Sequence, residues 1–275
     1  MSSLNAISPD KLLRLLGRPD CPALIDVRLE EDFAADPRLI PGSLRRPHES
    51  VGAWAGDFAG RSAVVICQRG LKLSQGVAAW LRQAGVPADV LEGGSQAWAA
   101  AGHAMVPEAA LPPRDDGGRT RWATRARPKV DRLACPWLIR RFVDPAAVFL
   151  FVNPAEVQAV AARFGAAAFD IEAEGVSWTH HGPLCTFDAM VEGFGLAGLP
   201  ALQRLATIVR GADTARPELA PESAGLLAIS LGLSRMHADD TQQLEAALPL
   251  YDAFYRWCRD ASDETHDWPP RRGGA

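Results

Sequence analysis

The sequence has no excess of positive charge, no long apolar run and no cysteine framework, and each absence removes a class of function. Its 29 Lys and Arg are outnumbered by 33 Asp and Glu, giving a formal net charge of −4 and a pI near 5.9. Binding a nucleic-acid backbone needs a concentrated cationic face. None is visible, nor is a helix-turn-helix pattern, so no nucleic-acid partner is expected. No window approaches the ~20 apolar residues of a membrane span, and the opening MSSLNAISPDKLLRLLG lacks the basic-then-apolar order of an export signal. The expectation is a cytoplasmic protein without a membrane partner. Cys21, Cys67, Cys135, Cys185 and Cys258 are odd in number and irregularly spaced, unlike a disulfide scaffold. Free thiols in a reducing compartment are expected instead. No repeat of fixed period is present.

What is present is two patterned regions. A chain of 275 residues can hold two domains at roughly 100–200 residues each. In the first, short apolar runs at ALIDV (23–27), AVVIC (63–67) and ADVLE (88–92) alternate with helical stretches at 74–85 and 95–102. That alternation predicts βαβ units around a mostly parallel sheet. Ser8-Pro9 followed by DKLLRLL and Gly17 reads as a capped helix with its stop. From Met105 to about Arg127 the pattern dissolves into Pro, Gly and charge, which reads as a linker. Patterning resumes with one strand candidate, VFLFV (148–152), and helices over 154–165, 184–195, 201–212, 221–233 and about 239–259. The expected fold class is therefore α/β: a parallel sheet flanked by helices over 1–103, a linker over 104–127, a mainly helical α+β domain over 128–260, and a disordered tail over 261–275.

Cys67 ends an apolar strand about seven residues before a helix, at the sheet edge where open α/β folds place their ligands. Gln68, Arg69, Gly70, Leu71 and Lys72 can curl with their backbone N–H groups inward, an anion cradle reinforced by the helix dipole. Such a cradle lowers a thiol pKa and favours the nucleophilic thiolate. Arg69 and Lys72 add positive charge, and Gly70 supplies backbone freedom. The plain alternative is a buried, inert strand-end cysteine.

The order LIDVR (24–28), IPGSLR (40–45), CQRGLK (67–72) and LEGGSQAW (91–98) resembles the rhodanese domain across nearly the whole first region. The resemblance implies a Cys67 persulfide, an active-site loop over 68–72, Asp26 and Arg28 as anchors near that loop, a thiosulfate-like donor and a thiol acceptor. One departure stands out. Many rhodaneses end the loop with Arg and then Ser or Thr, whereas this chain has Lys72 and Leu73, with a serine only at Ser74. Lysine lacks the guanidinium fork, so bidentate anion recognition is weaker. A phosphatase or arsenate-reductase use of the fold needs Arg six residues after the Cys, where Leu73 stands.

In the second region, 127–152, 169–196, 202–214 and 221–234 with Asp239-Asp240 resemble the C-terminal domain of the chromate-resistance protein family. The resemblance implies a role in chromate response or resistance, with chromate as a possible ligand. From the residues themselves, His180, Cys185 and Asp170 are candidate ligands for a transition metal such as zinc, since imidazole, thiolate and carboxylate form its usual set. They have a structural alternative: His180 capping a turn, Cys185 packed as an apolar group, Asp170 bonding backbone. Asp213 could join them or end a helix. Cys135 before Pro136, at an apparent helix start beside Arg132, Arg140 and Arg141, is either an activated thiol or core. Three functions follow: a sulfurtransferase coupled to oxyanion stress, a non-enzymatic chromate sensor, or a metal-dependent reductase in the second domain.

Overall fold

The computed structural model of the chain describes residues 5–264. The first half runs β1 (Ala6–Ile7), α1 (Pro9–Leu13), β2 (Ala23–Asp26), α2 (Glu30–Ala35), β3 (Arg38–Leu39), β4 (Ser43–Arg45), α3 (Val51–Trp54), β5 (Ala63–Ile66), α4 (Lys72–Gln83), β6 (Ala88–Leu91), α5 (Gly94–Ala100) and β7 (Val106–Pro107). Ser8 caps α1 with Pro9 at its first position, as the sequence predicts. The order β1-β6-β5-β2-β4 is parallel throughout. Side chains alternate across it: Ile25, Val65 and Val90 face one core, under α3 and α4, with Trp54, Val77 and Leu81. Leu24, Val64, Ile66 and Leu91 face the other.

That other core is the core of the second half. The second half runs β8 (Arg121–Arg125), α6 (Asp131–Phe142), β9 (Val148–Val152), α7 (Val157–Phe164), β10 (Ala167–Ala168), α8 (Thr186–Gly193), α9 (Pro200–Asp213), α10 (Glu222–Met236) and α11 (Asp240–Asp260). Its small sheet, β10-β8-β9, is also parallel. One continuous apolar cluster joins Leu12, Leu16 and Trp98 to Trp122, Trp137, Phe142 and Tyr255. Cross-links reinforce the join: Gly42 N–H donates to Phe142 O at 2.6 Å, and Arg259 to Arg14 O at 3.1 Å.

The expected linker over 104–127 is largely structure. Met105 and Val106 are buried, β7 pairs antiparallel with β3, and β8 is the central strand of the second sheet. Its polar residues disguise it. Thr120, just before the strand, donates from N and Oγ1 to Asp144 Oδ2 at 2.6 and 2.7 Å. Trp122 Nε1 donates to Thr120 Oγ1 and Thr124 Oγ1 to Phe169 O. Buried polar groups are tolerated where each has a partner, so a strand that looks soluble is inside. The predicted tail starts outside α11; from residue 265 onward it lies outside the described residues.

α6 also begins four residues before the expected start at Cys135. Cys135 is thus mid-helix and fully buried, and burial drives its thiol well above the ordinary cysteine range. Activation of Cys135 by a helix N-terminus is overturned.

Gly17 sits where the halves meet. Its φ is +74° and a Cβ there would overlap Phe142 and come within 2.7 Å of Tyr255. Gly17→Ala therefore combines a left-handed backbone with a steric clash and is expected to cost on the order of 2 kcal/mol. Urea unfolding of both proteins, followed by tryptophan fluorescence, checks this; an unchanged midpoint would contradict it.

Candidate functional site

Two clusters bring together side chains capable of chemistry, one in each half. The first is at the carboxyl edge of the parallel sheet. β2 and β5 run in register with Asp26 beside Ile66, so Asp26 and Arg28 flank the strand end that carries Cys67. Their ion pair is almost fully buried at 2.6 Å, and Arg28 also donates to Asp36 O and Arg38 O at 3.0 and 2.7 Å. A buried bidentate pair with its remaining donors satisfied holds its geometry. Here it ties the chain after β2 to Asp36 and to Arg38 at the start of β3.

Cys67 is 5% exposed. Its loop is locked from beneath: Ser95 N–H donates to Cys67 O at 3.0 Å and Gln96 N–H to Gln68 O at 3.1 Å. Gly70 and Gly94 permit that closeness. A Cβ on Gly70 would overlap Leu91 O, and one on Gly94 would overlap Cys67 O. The Sγ lies 3.2 Å from Ser74 Oγ, whose single proton can serve either Sγ or Leu71 O at 3.1 Å. Burial pushes the thiol up, but the Ser74 hydroxyl and the backbone N–H groups of Ser74, Arg69 and Leu71 outweigh it, holding Cys67 below the ordinary cysteine value. α4 starts at Lys72, two residues before the sequence suggests, which places Ser74 in its first turn facing the sulfur. Arg69, Leu71 and Lys72 are exposed around the opening. Sequence reasoning noted Ser74 only as a departure and did not assign Gly94 a role; the doubled glycine of LEGGS was the signal for the latter.

The second cluster gathers four distant segments. His180 Nε2 lies 3.3 Å from Asp131 Oδ2, 3.4 Å from Asp170 Oδ1 and 3.3 Å from Asp213 Oδ2. Asp131 opens α6 and Asp213 closes α9. Asp170 follows β10, and the Phe169–Trp178 bridge brings the His180 turn alongside. Arg125 Nη2 and Arg132 Nε approach Asp170 Oδ2 at 2.7 and 3.0 Å, and Thr186 Oγ1 donates to its other oxygen at 3.0 Å. Asp131, Asp170 and His180 each present a ligand atom within 4.8 Å of the others, an arrangement able to coordinate a metal ion. Cys185 takes no part. Its Sγ turns to Asp188 Oδ2 at 3.3 Å, and its N–H donates to the same oxygen at 3.0 Å, capping α8. Burial, with Asp131 and Asp188 nearby, drives the Cys185 thiol far above its usual range. His181 faces away, its Nε2 3.3 Å from Ser177 O.

The backbone around this cluster is strained. Val130, Asp170 and Ala215 have φ of +41°, +53° and +55°, unusual for residues with a Cβ and most of all for valine. Such conformations persist when surroundings over-determine them. Val130 N–H donates to Ser230 Oγ and its carbonyl accepts from Tyr251, at 2.8 and 2.7 Å, while Gln243 holds Pro128 O at 2.7 Å. α10 and α11 thus strap the entry to α6 and fix Asp131.

Residues 122–258 match the family model of the ChrB C-terminal domain, and residues 8–101 that of the rhodanese-like domain. The chain is a rhodanese-like domain fused to a ChrB-type C-terminal domain. The second part is 33% identical over 134 residues to Protein ChrB of Cupriavidus metallidurans, a match covering 49% of this chain and 39% of that protein. Among solved structures, a rhodanese-related protein from Thermoplasma volcanium is 23% identical over 38% of this chain and 99% of its own, with a TM-score of 0.33. A thiosulfate sulfurtransferase from Pseudomonas aeruginosa is 26% identical over 38% of this chain and 19% of its own, also at 0.33. Cys67 thus lies in the rhodanese-like domain, and all four members of the acidic cluster lie in the ChrB-type domain.

Charge crowding in the ChrB-type domain sets a pH dependence. Burial, reinforced by Asp131 and Asp170, pushes the Asp213 carboxyl up to about 8. The Asp131 carboxylate, against some burial, lifts His180 to about 9. Both groups hold protons more tightly folded than unfolded, where values near 3.9 and 6.5 are ordinary. Asp213 therefore withdraws stability as pH rises from about 4 to 8, and His180 as it rises from about 6.5 to 9. Scanning calorimetry in EDTA is expected to show a melting temperature falling between pH 6 and 9, with a smaller fall in Asp213→Asn. A melting temperature that rises over that range would contradict it.

Proposed function

We propose that the rhodanese-like domain is a sulfurtransferase in which Cys67 carries the sulfur. The observation that supports it best is the surroundings of Sγ: the Ser74 hydroxyl lies 3.2 Å away, the backbone N–H groups of Arg69, Leu71 and Ser74 help hold the thiol below the ordinary cysteine value, and thiolate is the form that attacks. With a thiosulfate-like donor, the Cys67 thiolate attacks the outer sulfur and a new S–S bond forms. The donor's own S–S bond breaks, and sulfite leaves with the electron pair. Cys67 then bears a persulfide whose terminal negative charge occupies the cradle. An acceptor thiolate attacks that outer sulfur, takes it as its own persulfide, and restores the Cys67 thiolate. Arg69 and Lys72 draw the anionic donor to the opening as point charges and do not touch the transferring bond. Ser74 positions and stabilises the thiolate. The ChrB-type domain links this chemistry to chromate stress, and chromate, a tetrahedral dianion, competes with the donor for the cradle.

Intact-protein mass spectrometry after incubation with thiosulfate tests the reading. The wild type is expected to gain one sulfur atom, removable by cyanide, and Cys67→Ala is expected to gain none. No gain in the wild type, together with protection of Cys67 from alkylation by sulfate or chromate, would replace sulfur transfer with oxyanion sensing. The role of Ser74 is separable. Iodoacetamide labelling of Cys67 is expected to reach half its maximum rate at a lower pH than for a free cysteine. Ser74→Ala is expected to move that midpoint up by about one unit, because one hydrogen bond to an ionised group is worth about 1.5 kcal/mol. An unmoved midpoint would remove Ser74 from the mechanism.

A further inference from the structure

The cluster at the entry to α6 contains a buried carboxylate oxygen that receives no hydrogen bond among the described residues. The Asp131 side chain is 2% exposed, and its Oδ2 accepts no hydrogen bond. His180 touches it at 3.3 Å without hydrogen-bond alignment. No arginine or lysine pairs with Asp131 or Asp213 among the described residues, while two guanidiniums crowd onto Asp170. Removing a carboxylate from water is expensive unless it is fully satisfied, and buried charges are normally paired or coordinate metals; the cation against Asp131 among the described residues is the partly exposed His180. Asp131 Oδ2 lies 3.3 Å from His180 Nε2, which is 3.4 Å from Asp170 Oδ1, and one ligand atom from each of the three residues lies within 4.8 Å of the others.

We propose that Asp131, Asp170 and His180 form a binding site for one divalent cation of the manganese or ferrous type, with Asp213 as the adjacent carboxylate that completes its charge. The donor set decides the cation class. Two carboxylate oxygens and one imidazole nitrogen suit hard to intermediate ions that keep waters in their remaining positions. A structural zinc site closed by thiolate is not what these residues build, since Cys185 Sγ is committed to Asp188 and Cys135 is mid-helix in the core.

The arrangement also has the support that metal ligands need. Outer-shell partners fix the orientation of ligating side chains and tune affinity. Thr186 Oγ1 and the two arginines hold the Asp170 carboxylate from behind. Asp131 is held by the strap of Ser230, Tyr251 and Gln243 on Val130 and Pro128, just before it. Half of the His180 side chain or less is in contact with solvent, at 38% exposure, so it forms the open wall through which an ion enters.

The experiment uses the full chain, stripped with EDTA, desalted, and titrated with Mn²⁺ by calorimetry and electron paramagnetic resonance. One ion per chain is expected. Asp131→Asn is expected to weaken binding at least tenfold, Asp213→Asn less, and Cys185→Ser or Cys67→Ala not at all. The last variant separates this site from the sulfur chemistry, so either proposal can fail alone. Should Asp131→Asn not fold, as judged by circular dichroism, X-ray absorption of the Mn²⁺- and Zn²⁺-loaded wild type decides. A first shell of oxygen and nitrogen supports the site, and a sulfur scatterer overturns it. Absence of Mn²⁺ binding in the wild type, or unaltered binding in folded Asp131→Asn, also overturns it.

Discussion

From Leu133 to Ile139 every residue of α6 is buried, and the second half is arranged around that fact. Leu133, Ala134, Cys135, Pro136, Trp137, Leu138, Ile139 and Phe142 are all buried, and a helix apolar all round must be enclosed on every side. α8, α9 and α11 enclose it from its own half, and Phe142 reaches across to Gly17 in the first. The few polar positions on such a helix have to be settled at its ends. At the far end Arg141 and Trp137 share Asp252, with Arg141 at 2.7 Å and Trp137 at 2.8 Å, and Arg140 meets Glu245. At the near end Asp131 points into the acidic cluster. The same enclosure that stabilises the domain therefore delivers a carboxylate to a dry position.

The two sites differ in how they manage negative charge. At Cys67 the protein supplies neutral donors, backbone N–H groups and one hydroxyl, and keeps its cations at the rim. Neutral donors favour the thiolate without forming an ion pair that a substrate would have to break. At Asp131 the crowding of carboxylates is met instead by a protonated imidazole and by the proton that Asp213 holds to about pH 8. On the readings proposed above, the first site receives an anion and the second positive charge.

How far the sequence disclosed this depended on whether the chemistry was local. The β5-loop-α4 unit was legible because strand, cradle and helix are contiguous, so Cys67 through Lys72 could be read together. Ser74 required knowing that α4 starts at Lys72, which shifts the helix face by two residues. The acidic cluster was legible only in part: His180 and Asp170 lie ten residues apart, but Asp131 and Asp213 enter from α6 and α9. Cys185 was drawn in by proximity in sequence, although its N-cap position commits it to Asp188. β8 escaped because Thr120 and Thr124 look like surface residues until their partners, Asp144 and the Phe169 carbonyl, are known. Pro136 misplaced the start of α6, since proline usually marks a first turn rather than an interior.

The shared core has a consequence for how this chain can change over generations. In a two-domain protein joined by a free tether, each half drifts under its own constraints. Here Gly17 is shaped against Phe142 and Tyr255, with Leu12 and Leu16 in the same core, so a larger side chain on one side is acceptable only with a smaller one on the other. Inheritance of the rhodanese-like unit is thereby bound to its partner. An exchange of either half for a distant homologue has to rebuild the face they hold in common.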